Sequence, residues 1–248
     1  MKLTRIIFSL IFFFSLTTPS LAGNILFDTS HRVIFHPTSD KPLGLKGFTE
    51  IFKRMGDKVL IGNKTLKADS LKGVDVLVLP GSMTSYDKSE IDIIEDYVNN
   101  GGSLLVLLHI APPLARVTER FGIVLSNMVI SEKNNLIDKS SQDFYSRDIR
   151  VHPVTEGVKE IALYGTWGLL AEKGASILAA TTPDAWGDAN RNRVYDVNEP
   201  MAVIGVVAAA ESGRGRIIVV ADDAPLANAF LDMGDNRRLA TNIASWLR

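Results

Sequence analysis

The chain has 248 residues, enough for one large domain with a full core, and its 27 basic and 28 acidic side chains leave a net charge of −1. So even a balance gives no electrostatic footprint for nucleic acid as a partner. The absence of cysteine excludes disulfides, a thiol nucleophile and lipid attachment through an N-terminal cysteine.

Residues 1–22 read as a signal peptide. Lys2 and Arg5 precede an apolar run from Ile6 to Leu16, and Ser20-Leu21-Ala22 has the small residues of a cleavage site. The run is too short to span a bilayer, which needs about 20 apolar residues. The expected mature chain is a single domain over 23–248, periplasmic or secreted, with no membrane span after cleavage.

In chain order, Ile25–Phe27 predicts a strand, and Gly44–Met55 a helix with Leu45, Phe48, Ile51 and Phe52 on one face. Strands follow at Lys58–Ile61 and at Val74–Leu79, the latter continuous enough to be buried on both faces. Asp87-Lys-Ser-Glu90 has capping-box spacing and opens a helix that Asn99-Asn-Gly-Gly102 closes. Ser103–Leu108 predicts a fourth strand, and Pro112 to Arg120 another helix. Strands alternating with helices imply right-handed crossovers and a mainly parallel, doubly wound α/β sheet. Residues 123–160 read as polar and irregular. Strands are expected at Ile161–Leu170, Ser176–Ala180, Ala202–Val207 and Arg216–Val220, the last two forming a hairpin through Glu211-Ser-Gly-Arg-Gly215. The whole stretch of about 123–200 is an expected β-rich insertion. Asp235 caps a C-terminal helix with Leu239, Ile243 and Trp246 inward.

With those elements placed, LVLPGSM (77–83), EIDIIEDYVNNGGSLLVLL (90–108), GRGRIIVVADDAPLANAF and NRRLATNIASWL together resemble the class I glutamine-amidotransferase-like domains. They are similar in particular to exported bacterial members and to the trehalose-utilisation-like and intraflagellar-transport-like branches. The resemblance covers roughly residues 24–122 and 200–247 and implies a flavodoxin-like sheet. Where that family carries its catalytic cysteine, this chain has His109, and Ala221-Asp222-Asp223 replaces the His-x-Glu pair. Without nucleophile and base, glutamine hydrolysis by the family's route is excluded.

Open α/β sheets bind ligands beyond the carboxyl ends of their strands. That rule gathers Asp28, Ser30, His31, Gly81, Ser82, His109, Asp222 and Asp223 as a candidate rim, with His109, His31, Asp28 and Asp222 the candidates for chemistry. Such a rim suits a metal, a sugar or a polar peptide; the same residues also serve as caps and packed histidines. A second motif, Asp188-Ala-Asn190-Arg-Asn192-Arg-Val194-Tyr-Asp196-Val-Asn-Glu199, matches the template of a calcium loop. Asp188, Asn190, Asn192, Asp196 and Glu199 would supply side-chain oxygens and Val194 its carbonyl to a structural calcium ion. Arg193 stands where that loop wants a glycine. The same stretch is also what an ordinary polar turn looks like. Trp167 and Trp186 are candidates for stacking on a sugar, although buried packing accounts for either more simply. The leading expectation is a non-catalytic exported binding domain, stabilised by calcium and engaging a glycan or a protein. The alternatives are a hydrolase or isomerase of a sugar-like substrate and a structural subunit of an envelope assembly.

Overall fold

Short apolar runs of five residues build one half of the molecule and longer, more polar strands the other. The computed structural model describes residues 22–248, so the predicted signal peptide lies, but for Ala22, outside the described residues. The first half contains β1 (Asn24–Asp28), α1 (Lys46–Arg54), β2 (Lys58–Gly62), β3 (Val76–Pro80), α2 (Lys88–Asn99), β4 (Ser103–Leu107) and the short α3 (Ala115–Glu119). Then come β5 (Ile123–Ser131), β6 (Leu136–Ile137), β7 (Ser140–Ser146), β8 (Asp148–Ile149), β9 (Ile161–Tyr164), β10 (Trp167–Ala171), β11 (Ser176–Ala180) and β12 (Trp186–Asp188). The hairpin β13 (Gly205–Ser212) and β14 (Gly215–Val220) and the helix α4 (Asn236–Leu247) complete the chain.

Eleven strands form one sheet in the order β12-β5-β10-β13-β14-β4-β3-β1-β2, with β11 on β13 and β8 on β11. The pairings β1–β2, β1–β3, β3–β4 and β4–β14 are parallel. The other six, from β13–β14 outward, are antiparallel. A second, three-stranded sheet β6-β7-β9 is antiparallel throughout.

The expectation of a mainly parallel, doubly wound α/β sheet is therefore corrected: this is a β-rich mixed sheet with four α-helices among the described residues. The physical reason lies in the connections. Parallel neighbours need a crossover long enough to return the chain, and such helices stop after α3. From residue 123 onward the strands are joined by turns and loops, which permit antiparallel pairing, and they extend the main sheet.

Within the expected β-rich insertion, residues 123–160, read as polar and irregular, contribute the four strands β5 through β8. Strand β5 misses the usual alternation because polar Ser126 and Asn127 interrupt it where its register against β10 shifts. The single strand expected over 161–170 breaks at Gly165, whose φ of +75° turns the chain out of β9 and into a different sheet. The predicted helix from Pro112 shrinks to Ala115–Glu119.

Packing explains why the first half is so regular. Residues of β3 and β4 are buried along their whole length, and α1 sends Phe48, Ile51 and Phe52 onto the sheet. Phe27, Phe48 and Phe52 meet edge to face at centroid distances of 5.2–6.3 Å, each pair contributing about 0.5–1.5 kcal/mol beyond burial. The predicted capping box holds α2: Glu90 N donates to Asp87 Oδ1 at 2.9 Å, and Asp87 N to Glu90 Oε2 at 3.1 Å. Among the described residues no helix is long and apolar enough to cross a membrane.

Candidate functional site

The parallel strands β1, β3, β4 and β14 end along one edge, and the residues beyond them separate into two groups with different chemistry. The first group is closed. Asp28, the last residue of β1, receives Ser30 N and Ser30 Oγ on Oδ1 at 2.9 and 2.7 Å. Its Oδ2 receives the Tyr86 hydroxyl at 2.7 Å and lies 2.9 Å from His31 Nδ1. The other ring nitrogen of His31 is 3.1 Å from Glu90 Oε2, and the ring stacks on Tyr86 at 3.7 Å. Ser82 completes the group through Tyr86.

Asp28, His31, Ser82, Tyr86 and Glu90 are all buried. Burial alone favours neutral imidazole, but the hydrogen bond and charge of Asp28, and then of Glu90, outweigh it and raise the His31 pKa. Burial likewise pushes Asp28 up, yet the bonds from His31, Ser30 and Tyr86 bring it below its ordinary value. An imidazolium between two carboxylates has both N–H groups spent. This arrangement holds α2 against the end of β1 and offers no free group to a ligand.

The second group is open. His109 follows β4, and its Nδ1 lies 3.2–3.3 Å from the two oxygens of Asp223, which follows β14. Its side chain is 32 % exposed while that of Asp223 is 3 % exposed. Phe35 packs against the ring at 5.3 Å, and the indole N–H of Trp167 donates to the His109 carbonyl at 3.2 Å. The hydrogen bond to Asp223 raises the His109 pKa against the opposing effect of burial. Burial raises Asp223, and burial together with the Asp223 charge raises Asp222 well above the ordinary carboxylate range. Asp222 itself accepts Tyr164 N at 2.6 Å and Ala224 N at 2.9 Å, which makes it chiefly a backbone tie.

Gly81 makes this packing possible. It follows β3 with φ +62°, and a Cβ there would collide with Asp223 Oδ2 and come within 3.0 Å of His109 Cβ.

Of the predicted rim, the structure brings together Asp28, Ser30, His31 and Ser82 as one group, and Gly81, His109, Asp222 and Asp223 as the other. No hydrogen bond joins the two among the described residues. Sequence reasoning missed Glu90 and Tyr86. Glu90 was visible only as a helix-capping residue, and nothing in the sequence marks Tyr86. Neither tryptophan is open for broad stacking, Trp167 being 6 % and Trp186 3 % exposed.

Beside His109 lies a cleft of about 460 Å³ lined by Ile110, Pro112, Val129, Trp167, Asn127, Gln142, Arg191 and Arg193. The two arginines come from the predicted calcium loop, and the calcium expectation is not supported. Asp188 accepts Asn192 N on Oδ1 at 3.2 Å, and Arg193 N and Gln142 Nε2 on Oδ2 at 2.9 and 3.2 Å. Glu199 accepts Ala189 N and Asp196 N at 2.9 and 3.1 Å. Asn192 Oδ1 takes Val194 N at 2.8 Å, and Asp196 Oδ2 takes the amides of Asn190 and Asn192 at 2.6 and 2.9 Å. The oxygens close the loop upon itself. Among the described residues no group of three His, Asp or Glu side chains is placed to hold a metal.

Comparison with known proteins assigns the chain. Residues 37–244 match the family described as Domain of unknown function (DUF4350), and the chain belongs to that family. No curated protein matches it in sequence. Among solved structures it is similar to the mmIFT52 N-terminal domain, with a TM-score of 0.75 and 16 % identity over 91 % of this chain and 97 % of that one. A cytoplasmic protein from Salmonella typhimurium LT2 gives 0.58 and 15 % over 91 % and 99 %. A ThuA-like protein from Parabacteroides merdae gives 0.56 and 14 % over 91 % and 89 %. At these identities the likeness is one of fold. The family match and the mixed sheet correct the assignment to class I glutamine-amidotransferase-like domains.

Proposed function

We propose that this DUF4350 protein is an exported binding domain that holds a polar small ligand, a glycan or a piece of one, at the open strand-end rim. The observation that carries the reading is His109. Asp223 fixes its Nδ1 from a buried position, Gly81 and Phe35 set the ring in place, and Nε2 makes no bond among the described residues. A fixed ring with one uncommitted polar edge beside a cleft is a preorganised hydrogen-bonding group. Export rests on the Lys2 and Arg5 leader and the Ser20-Leu21-Ala22 site; Gly23 N donates to Asp57 Oδ1 at 2.9 Å, so an amine freed at Gly23 by cleavage would meet a carboxylate. N-terminal sequencing of the secreted form should begin at Gly23, and retention of Met1 would sink that part.

The direct test follows the His109 imidazole resonances while neutral and acidic monosaccharides are added. Saturable shifts at His109, lost in His109→Gln with the melting temperature kept, are expected. A second reading, acid–base chemistry on a sugar-like substrate, rests on the raised pKa of His109 next to two carboxylates of raised pKa. Turnover of any bound sugar, abolished by His109→Gln, would favour it over binding alone.

A further inference from the structure

Arg191 and Arg193 are bulky residues held at φ +62° and +63°. The left-handed conformation costs a residue with a Cβ about 1 kcal/mol or more, and the turn chemistry here would accept glycine or asparagine at either position. The loop nevertheless fixes both. Asp188 takes the amides of Asn192 and Arg193, and Ser141 Oγ donates to the Arg193 carbonyl at 2.9 Å. Spaced two residues apart, the two side chains line one cleft. Neither guanidinium makes an ion pair or hydrogen bond among the described residues. Buried Asp188, in the same loop, is already occupied by backbone and by Gln142.

The other walls are apolar, from Ile110, Pro112, Val129 and Trp167, with the amides of Asn127 and Gln142 between them. Two arginines without an ion pair, held in strained backbone on the wall of a cleft whose other walls are largely apolar, are the pattern of an anion site. Ile110 directly follows His109 in the chain, and Trp167, also on the cleft wall, donates its indole N–H to the His109 carbonyl at 3.2 Å.

We propose that this cleft receives the negative group of the ligand, a carboxylate or phosphate carried on a sugar-sized body, with Arg191 and Arg193 as the specificity-determining side chains. The inference rests on the reading of the rim as a ligand site and names the class of ligand that site takes. Arg191 and Arg193 form charge-assisted, fork-shaped contacts to the anion, the amides meet hydroxyl groups, and the apolar wall covers the sugar's carbon face.

Calorimetry with glucose, glucuronate and glucose 6-phosphate, run beside the His109 resonance titration, tests it. One of the two anions should bind at least about tenfold more tightly than glucose, weaken as salt is raised, and lose that advantage in the double variant Arg191→Gln/Arg193→Gln. Which anion binds more tightly separates carboxylate from phosphate recognition. Arg193→Gly should melt at an equal or higher temperature while its anion preference falls, an outcome a structural arginine would not give. Glucose binding as tightly as both anions, or a preference that survives the double variant, overturns the inference and leaves the rim reading standing. No His109 response to any of the three sugars overturns both.

Discussion

His31 and His109 lie past the ends of β1 and β4, the two strands that flank β3, and each sets Nδ1 against an aspartate at about 3 Å. They differ in what meets the second nitrogen. His31 finds Glu90 and the face of Tyr86, so the group is electrically and sterically closed. His109 has a single carboxylate partner and keeps about a third of its side chain exposed. The same pair of residue types therefore becomes a structural clamp in one place and an available group in the other. The deciding variable is what the neighbouring element supplies, not the histidine or its aspartate.

The largest effect that would break this contrast is expected at the closed group. His31→Ala leaves Asp28 and Glu90 buried without their cation, and unfolding in urea should show a loss of about 3–5 kcal/mol. A loss no larger than that of a surface substitution would mean the clamp is not one. Its pH signature follows from the shifts. The His31 pKa is raised above its ordinary 6.5, so its contribution is complete below that value and disappears as pH rises through the folded-state pKa. The Asp28 pKa is depressed below 3.8, so its contribution is present above that value and is lost as pH falls through the folded-state pKa. Stability should peak between these limits, and His31→Ala should flatten the alkaline side.

Gly81→Ala ranks next, at a cost of about 2–3 kcal/mol from the left-handed strain and the collision with Asp223. The same variant should displace His109, so ligand-induced shifts of its imidazole should vanish even where the fold survives. Retained stability and retained shifts would show that the open group does not depend on this close approach.

The smallest effect sharpens the electrostatic side. Asp223→Asn should lower the His109 pKa toward its ordinary value, because the hydrogen bond and charge of Asp223 are what raise it. Imidazole titration by NMR reads this directly. Stability should change by about 1 kcal/mol or less, and an unchanged His109 titration would remove Asp223 from its assigned role.

The parallel half was readable because its signals are local. Continuous apolar runs at 76–79 and 104–108, the capping box at Asp87 and Glu90, and the Gly101-Gly102 stop each follow from neighbours within a few residues. The antiparallel half was not. Asn127 and Gln142 look like loop residues until the cleft they line is known, and the break at Gly165 resembles a strand interior. The stretch 188–199 reads as a calcium loop, and only the structure shows its side-chain oxygens taken up by backbone and side-chain amides of the same segment.

By itself, then, the sequence determined the strand–helix alternation up to residue 122, the absence of any thiol chemistry, and the residues that cluster past the strand ends. Only the tertiary structure decided that the sheet is mixed, that His31 is closed by a glutamate 59 positions away, and that two strained arginines share a cleft beside His109. Those facts rest on pairing between distant segments, whose register and burial are set by the packing of the whole sheet and leave no periodicity in the chain.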